Sequence, residues 1–150
     1  MTVAPDWINN HEIDTPPTPL TSHGPAMCYY NNDAYVLYIG QHGKNIWSLK
    51  NEGENTQVKM GQQTPRSSFR PALAVFDGML HMVYVGEEGR SLWWSWFDGT
   101  SWHGNVQLPF AAYEPQPSLA AFGGALHLVW HDSDVPNRLL KKSVAAQDSA

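Results

Sequence analysis

Proline recurs at a fixed interval in this chain, and the residues after each proline recur with it. Gly24-Pro25-Ala26-Met27, Arg70-Pro71-Ala72-Leu73 and Gln116-Pro117-Ser118-Leu119 set their prolines 46 residues apart twice. Downstream, Tyr30, Phe76 and Phe122 are in register, each ahead of a turn pair: Asn31-Asn32, Asp77-Gly78 or Gly123-Gly124. Ala34-Tyr35-Val36-Leu37-Tyr38, Leu80-His81-Met82-Val83-Tyr84 and Leu126-His127-Leu128-Val129-Trp130 come next. With a two-residue insertion in the third copy, Ile46-Trp47-Ser48, Leu92-Trp93-Trp94-Ser95 and Leu140-Lys141-Lys142-Ser143 also correspond. A period of this length marks a supersecondary unit that buries its apolar faces only against like neighbours.

Within each unit, apolar stretches of five to seven residues are separated by Gly, Asn, Asp or Pro, which is strand length and turn chemistry. In the second repeat, Pro71 to Phe76 reads as a first strand and Asp77-Gly78 as a tight hairpin turn. Leu80 to Val85 is a second strand, Leu92 to Phe97 a third, and Trp102 to Leu108 a fourth, after the turn Asp98-Gly99. The second strand is apolar on both faces, so it must be covered on both sides. Seven Trp, six Tyr and five Phe beside twelve Gly and eleven Pro, with only 15% charged residues, argue against helical bundles and against disorder. The expected fold is therefore all-β: β-propeller blades of four antiparallel strands, one per repeat of about 46 residues.

The expected layout gives residues 24–69, 70–115 and 116–150 to three repeats, and residues 1–23 to an N-terminal strand with a Pro-rich connector. The third repeat shows no fourth-strand pattern after Leu139 to Val144. Asp6-Trp7 with Ile13, in turn, copies Ser101-Trp102 with Leu108, a fourth strand without its blade. Pro16-Pro17-Thr18-Pro19 leads stiffly into the first repeat. Propellers typically carry four to eight blades. Three blades per chain thus predict a homodimer in which each N-terminal strand completes the partner's last blade and closes a six-bladed ring. A fragment of a longer propeller is the alternative.

Gly24-Pro25-Ala26, Arg70 to Gly78 and Leu92 to Trp102 resemble the blade unit of bacterial and fungal propeller proteins, among them bacterial lectins, whose repeats are often termed sialidase-like or tectonin-like. The likeness runs along nearly the whole chain and is weakest where Lys50-Asn51-Glu52-Gly53-Glu54-Asn55 replaces the turn and Trp of the second repeat. It implies a propeller and sugar binding in pockets on or between blades.

Sugar recognition needs an aromatic face for the C–H groups of a pyranose and polar groups for its hydroxyls. The loop and strand Glu87-Glu88-Gly89-Arg90-Ser91-Leu92-Trp93-Trp94 offers both. Its counterparts run from Gln41 to Trp47 and from Asp132 to Arg138, each with one cation: Lys44, Arg90 or Arg138. Glu87, Arg90, Trp93, Trp94, His42, Lys44, Trp47, Asp132 and Arg138 are the candidate sugar-binding residues. Strand residues alternate faces, so one of Trp93 and Trp94 packs between blades instead. Trp102 and Trp7 read as blade-packing residues.

Other chemistries find less support. His127 and His131 are four apart on a strand, a span of roughly 13 Å that no single metal bridges. His81 and His127 share a repeat position with Tyr35, which marks a structural niche. Ser95-Trp96-Phe97-Asp98-Gly99 places its Asp one position late for a sialidase Asp box, and the arginines are few. Paired carboxylates such as Glu87 and Glu88 leave a glycoside hydrolase as a weaker reading. A net charge of -5 with no long basic run argues against nucleic acid, and no apolar stretch approaches membrane-span length. Cys28 lies in an apolar run and reads as a small buried side chain. The start of the sequence has no signal-peptide pattern, so a cytoplasmic protein, or one released without a standard signal peptide, is expected. These observations favour a non-enzymatic lectin without a cofactor, binding glycans multivalently. A propeller for protein–protein interaction, such as the targeting part of a toxin or secretion system, is the alternative.

Overall fold

A computed structural model describes residues 3–8, 10–112, 116–132, 134 and 138–146. These residues form eleven strands in three antiparallel sheets and no helix. Sheet 1 holds β1 (Ala26–Tyr30), β2 (Asp33–Ile39), β3 (Ile46–Lys50) and β4 (Glu54–Gln57), paired in chain order. Sheet 2 holds β5 (Ala72–Phe76), β6 (Met79–Val85), β7 (Ser91–Phe97) and β8 (Trp102–Ala111), again in chain order. Sheet 3 pairs β9 (Ser118–Phe122), β10 (Ala125–His131) and β11 (Leu139–Ala145).

The turn pairs set this meander. Asn31-Asn32, Asp77-Gly78 and Gly123-Gly124 all have positive φ at both residues, between 52° and 76°. That is the backbone of a type I′ hairpin, whose twist suits the flanking strands and which Gly, Asn and Asp tolerate.

The sheets stack in the order 1, 2, 3, and alternation along β6 shows why. Leu80, Met82 and Tyr84 enter an apolar layer with Tyr35, Leu37, Ile39 and Ile46 of sheet 1. Val83 and Val85 of the same strand enter a second layer with Leu128 and Trp130 of sheet 3. Both faces of β6 are buried, as its sequence requires. Each fully buried Leu, Val or Met here contributes about 1.5–3 kcal/mol.

The N-terminal segment lies on the face of sheet 1 turned away from sheet 2. The Thr15 hydroxyl donates to the Glu52 carbonyl, Asn55 Nδ2 donates to the Pro17 carbonyl, and Gln41 N–H donates to the Leu20 carbonyl at 2.8 Å. Trp7, expected to pack, is fully exposed in the single chain. Cys28 is half-buried against the first apolar layer, and burial raises its thiol pKa.

The ladders correct one alignment. Trp94 lies opposite Val83, and Lys141 lies opposite Val129, the residue 46 positions on. Trp94 therefore corresponds to Lys141, and the third copy carries a one-residue insertion where the sequence pattern suggested two. Leu92 meets a leucine either way, Leu139 or Leu140, while the Ser95–Ser143 match that favoured two is not borne out by the hydrogen-bond register, which aligns Ser95 with Lys142.

Candidate functional site: a cleft repeated 46 residues apart

Tyr38 on β2 faces Trp47 on β3, and Tyr84 on β6 faces Trp93 on β7, at the same place in their sheets. Beyond each tyrosine the chain reverses through a tight loop. Gly40 N–H donates to the Asn45 carbonyl and Gly86 N–H to the Ser91 carbonyl, both at 2.8 Å. A cleft of 160 Å³ opens at the first loop and one of 260 Å³ at the second. Thr18 and Thr64, Leu20 and Arg66, Gln41 and Glu87, His42 and Glu88, and Trp47 and Trp93 line the two clefts at equivalent positions.

A hydrogen-bonded pair anchors each cleft. The Tyr38 hydroxyl donates to Asn55 Oδ1 at 2.9 Å, and the Tyr84 hydroxyl donates to Asn105 Oδ1. The asparagine reaches back to the preceding segment, through Nδ2 to the Pro17 carbonyl in one case and to Gln63 Oε1 at 3.2 Å in the other. Burial pushes both phenols above their ordinary pKa, Tyr84 the further, so both remain protonated donors at neutral pH. These tyrosine–asparagine pairs tie the outermost strand of sheets 1 and 2 to the second strand of each.

The second cleft carries the charge. Glu87 receives Arg66 Nε at 3.1 Å, an exposed ion pair of small energetic weight. Glu88 Oε1 accepts the Ser91 N–H at 2.6 Å and the Ser91 hydroxyl. Burial acts to raise the Glu88 carboxyl, but the Ser91 side-chain and backbone donors outweigh it and lower its pKa. Ser91 Oγ also accepts Trp93 Nε1–H at 2.9 Å, which fixes the indole plane. The cleft thus joins a fixed, half-buried aromatic ring to carboxylates and a guanidinium.

Of the residues singled out in the sequence, His42 and Trp47 line the first cleft, and Glu87 and Trp93 the second. Lys44 and Arg90 line neither; their carbonyls accept Ser67 N–H at 3.0 Å and Ala112 N–H at 2.9 Å, joining adjacent segments. Trp94 points to the opposite face, between sheets 2 and 3, where Nε1–H donates to His81 Nδ1 at 3.1 Å. In the third repeat, Asp132 stands at the position of Gly40 and Gly86 and is buried against Arg138, whose Nε donates to it at 2.8 Å. Arg138 aligns with Ser91 rather than Arg90, since its carbonyl receives the Asp132 N–H as Ser91 receives that of Gly86. Trp130 replaces the tyrosine and stacks on Phe110 at 4.3 Å. Residues 133 and 135–137 of this loop lie outside the described residues.

Sequence reasoning missed Tyr38, Asn55, Tyr84, Asn105 and Arg66. Tyr38 and Tyr84 stand in register in the repeat, and that was the available signal. Asn55 and Asn105 are 50 residues apart, so the 46-residue period passes them by.

No protein-family model matches this chain. No curated protein matches it either. Among solved structures it is similar to an alpha-L-arabinofuranosidase from Clostridium thermocellum, with a TM-score of 0.54 and 15% sequence identity. The likeness covers 79% of this chain and 45% of that one, so the chain spans less than half the length of that protein. The neighbour is a five-bladed β-propeller, and the likeness gives this chain a fold of β-propeller type. No helix among the described residues is long and apolar enough to cross a membrane.

Proposed function

We propose that the chain binds carbohydrate without transforming it, through the clefts at Trp47 and Trp93. The supporting observation is that one cleft architecture occurs twice at equivalent positions, each time with a half-buried Trp beside polar side chains. Repetition suits avidity, in which several weak sites act together. Catalysis instead needs one convergent set of groups. Both clefts fall below the roughly 300–1,000 Å³ of drug-sized sites, a size that suits a single sugar unit.

The fold likeness to an arabinofuranosidase favours a second reading, glycoside hydrolysis. That chemistry requires two carboxyl groups about 5–9.5 Å apart across the scissile bond, one of them a proton donor. Glu87 and Glu88 are adjacent in sequence and engaged by Arg66 and Ser91, and the pKa of Glu88 is lowered, the opposite of what a general acid needs.

A glycan array with the labelled protein, then calorimetry on any hit, tests the reading. Binding of at least one glycan class is expected, with Glu87→Ala lowering affinity about tenfold and leaving thermal stability within about 0.5 kcal/mol. An array without hits, or turnover of arabinofuranosyl or related substrates, would overturn it.

A further inference from the structure

The tyrosine–asparagine pair has a third position, and there it is half empty. Trp130 faces Leu140 on β11 as Tyr38 faces Trp47 and Tyr84 faces Trp93. Its Nε1–H is buried and has no hydrogen-bond partner among the described residues. In sheets 1 and 2 the partner sits on the fourth strand, as Asn55 on β4 and Asn105 on β8. Sheet 3 has three described strands, and β11 pairs only with β10 among them. A buried N–H left unpaired costs about 1–3 kcal/mol, so the position calls for an acceptor.

The chain contains a matching segment elsewhere. Aligning Trp7 with Trp102 and Ile13 with Leu108 brings Asn10 onto Asn105. Trp102 packs on Phe97 at 5.1 Å and against the first apolar layer, whereas Trp7 is fully exposed and the described residues around it form no strand. Between sheets 2 and 3, next to the open edge of β11, lies a cleft of 690 Å³ lined by Leu108, Phe110, Leu126, Leu128 and Val144. Val144 stands where Phe97 stands in sheet 2, opposite Leu126 as Phe97 is opposite Leu80.

We infer that residues 6–13 of a second copy of this chain add to β11 as the fourth strand of sheet 3. Asn10 Oδ1 of that copy accepts the Trp130 Nε1–H, and Trp7 fills the apolar cleft beside Val144. The donor is a second copy because Thr15 is held at Glu52, on the side of sheet 1 remote from sheets 2 and 3. Asn10 reaches at most about 17 Å from Thr15. Its own β11 lies two sheet spacings, about 20 Å, beyond sheet 1, and the path must skirt both sheets. The exchange is reciprocal, so it closes at two chains. It also brings Met27 and Tyr29 of sheet 1, which are 71% and 68% exposed, toward Phe122 of sheet 3, which is 59% exposed. Met27 and Tyr29 sit on the face of β1 turned away from sheet 2, and Phe122 on the face of β9 turned away from it.

Light scattering on the full chain should give twice 16.8 kDa, and a mass of one chain at micromolar concentration would overturn the inference. Register is read by the double variant Ile8→Cys and Ser143→Cys on a Cys28→Ser background, a pair equivalent to His103 opposite Trp96. Mild oxidation should yield an interchain disulfide dimer, whereas a bond within one chain, or none, contradicts the assignment. Asn10→Ala should raise the dimer dissociation constant about a hundredfold, tenfold for each of two contacts. On a Trp130→Phe background, where no N–H awaits a partner, the same change should cost less than tenfold. An equal loss on both backgrounds would show that Asn10 does not serve Trp130.

Discussion

His81 shows how one side chain can be fixed at both ring nitrogens. Nε2–H donates to the Phe76 carbonyl at 3.0 Å, and Nδ1 accepts from Trp94 Nε1–H at 3.1 Å, so this ring is neutral. His127 repeats the first contact at 3.1 Å with the Phe122 carbonyl, and the Ser143 hydroxyl takes the place of Trp94. Burial lowers the His81 pKa, against the smaller raising effects of the Phe76 carbonyl and Asp77. A depressed histidine pKa stabilises the fold above the unfolded value of about 6.5, and the contribution is lost as pH falls through the folded value. Urea denaturation should therefore show lower stability at pH 5 than at pH 7, with a shallower pH slope in His81→Gln. Asp98 behaves likewise at lower pH. The Ser101 N–H first, then His103 and the Thr100 N–H, hold its pKa at about 2, so its contribution is lost between roughly pH 4 and pH 2.

At the level of strands, β8 combines pairing with strain. It slips register twice against β7, between Ser91 and Trp93 and between Trp94 and Ser95. Gly104, at φ 92°, lies within this irregular stretch, and a Cβ there would sit 2.5 Å from the Trp96 ring. Gly104→Ala should cost about 2 kcal/mol or more in denaturant unfolding, because it adds both a forbidden φ and a clash. Such bulges were invisible in the sequence, whereas the strands were not. Pro71 to Phe76, Leu80 to Val85 and Leu92 to Phe97 were legible because Asp77-Gly78 and Asp98-Gly99 punctuate them; the structure moves their ends by a residue. The fourth strand runs to Ala111, past Leu108, and Phe110 in this extension joins the packing toward sheet 3. The clefts were legible in part for a related reason. Trp47, His42, Glu87 and Trp93 follow the period, while the asparagines that anchor the clefts sit on fourth strands of unequal spacing. Lys44 and Arg90 share a sequence position but line neither cleft, so charge was a misleading cue.

For the molecule as a whole, stability and assembly are linked if the fourth strand of sheet 3 comes from a second chain. The thermal midpoint should then rise with protein concentration, by mass action, and lose that dependence in a chain lacking residues 1–14. Calorimetry at concentrations tenfold apart measures this directly. Sheet 2 has no such dependence, since its neighbours on both faces belong to its own chain.

Lys141 and Lys142 sit on β11, whose second edge is open among the described residues. An open strand edge is a template for any extended peptide, and lysines there discourage promiscuous pairing. They give the edge a gatekeeper that a correctly shaped strand can pass and an arbitrary β-prone segment cannot. If a second chain supplies the missing strand, these lysines keep the edge from pairing with other extended segments before it arrives.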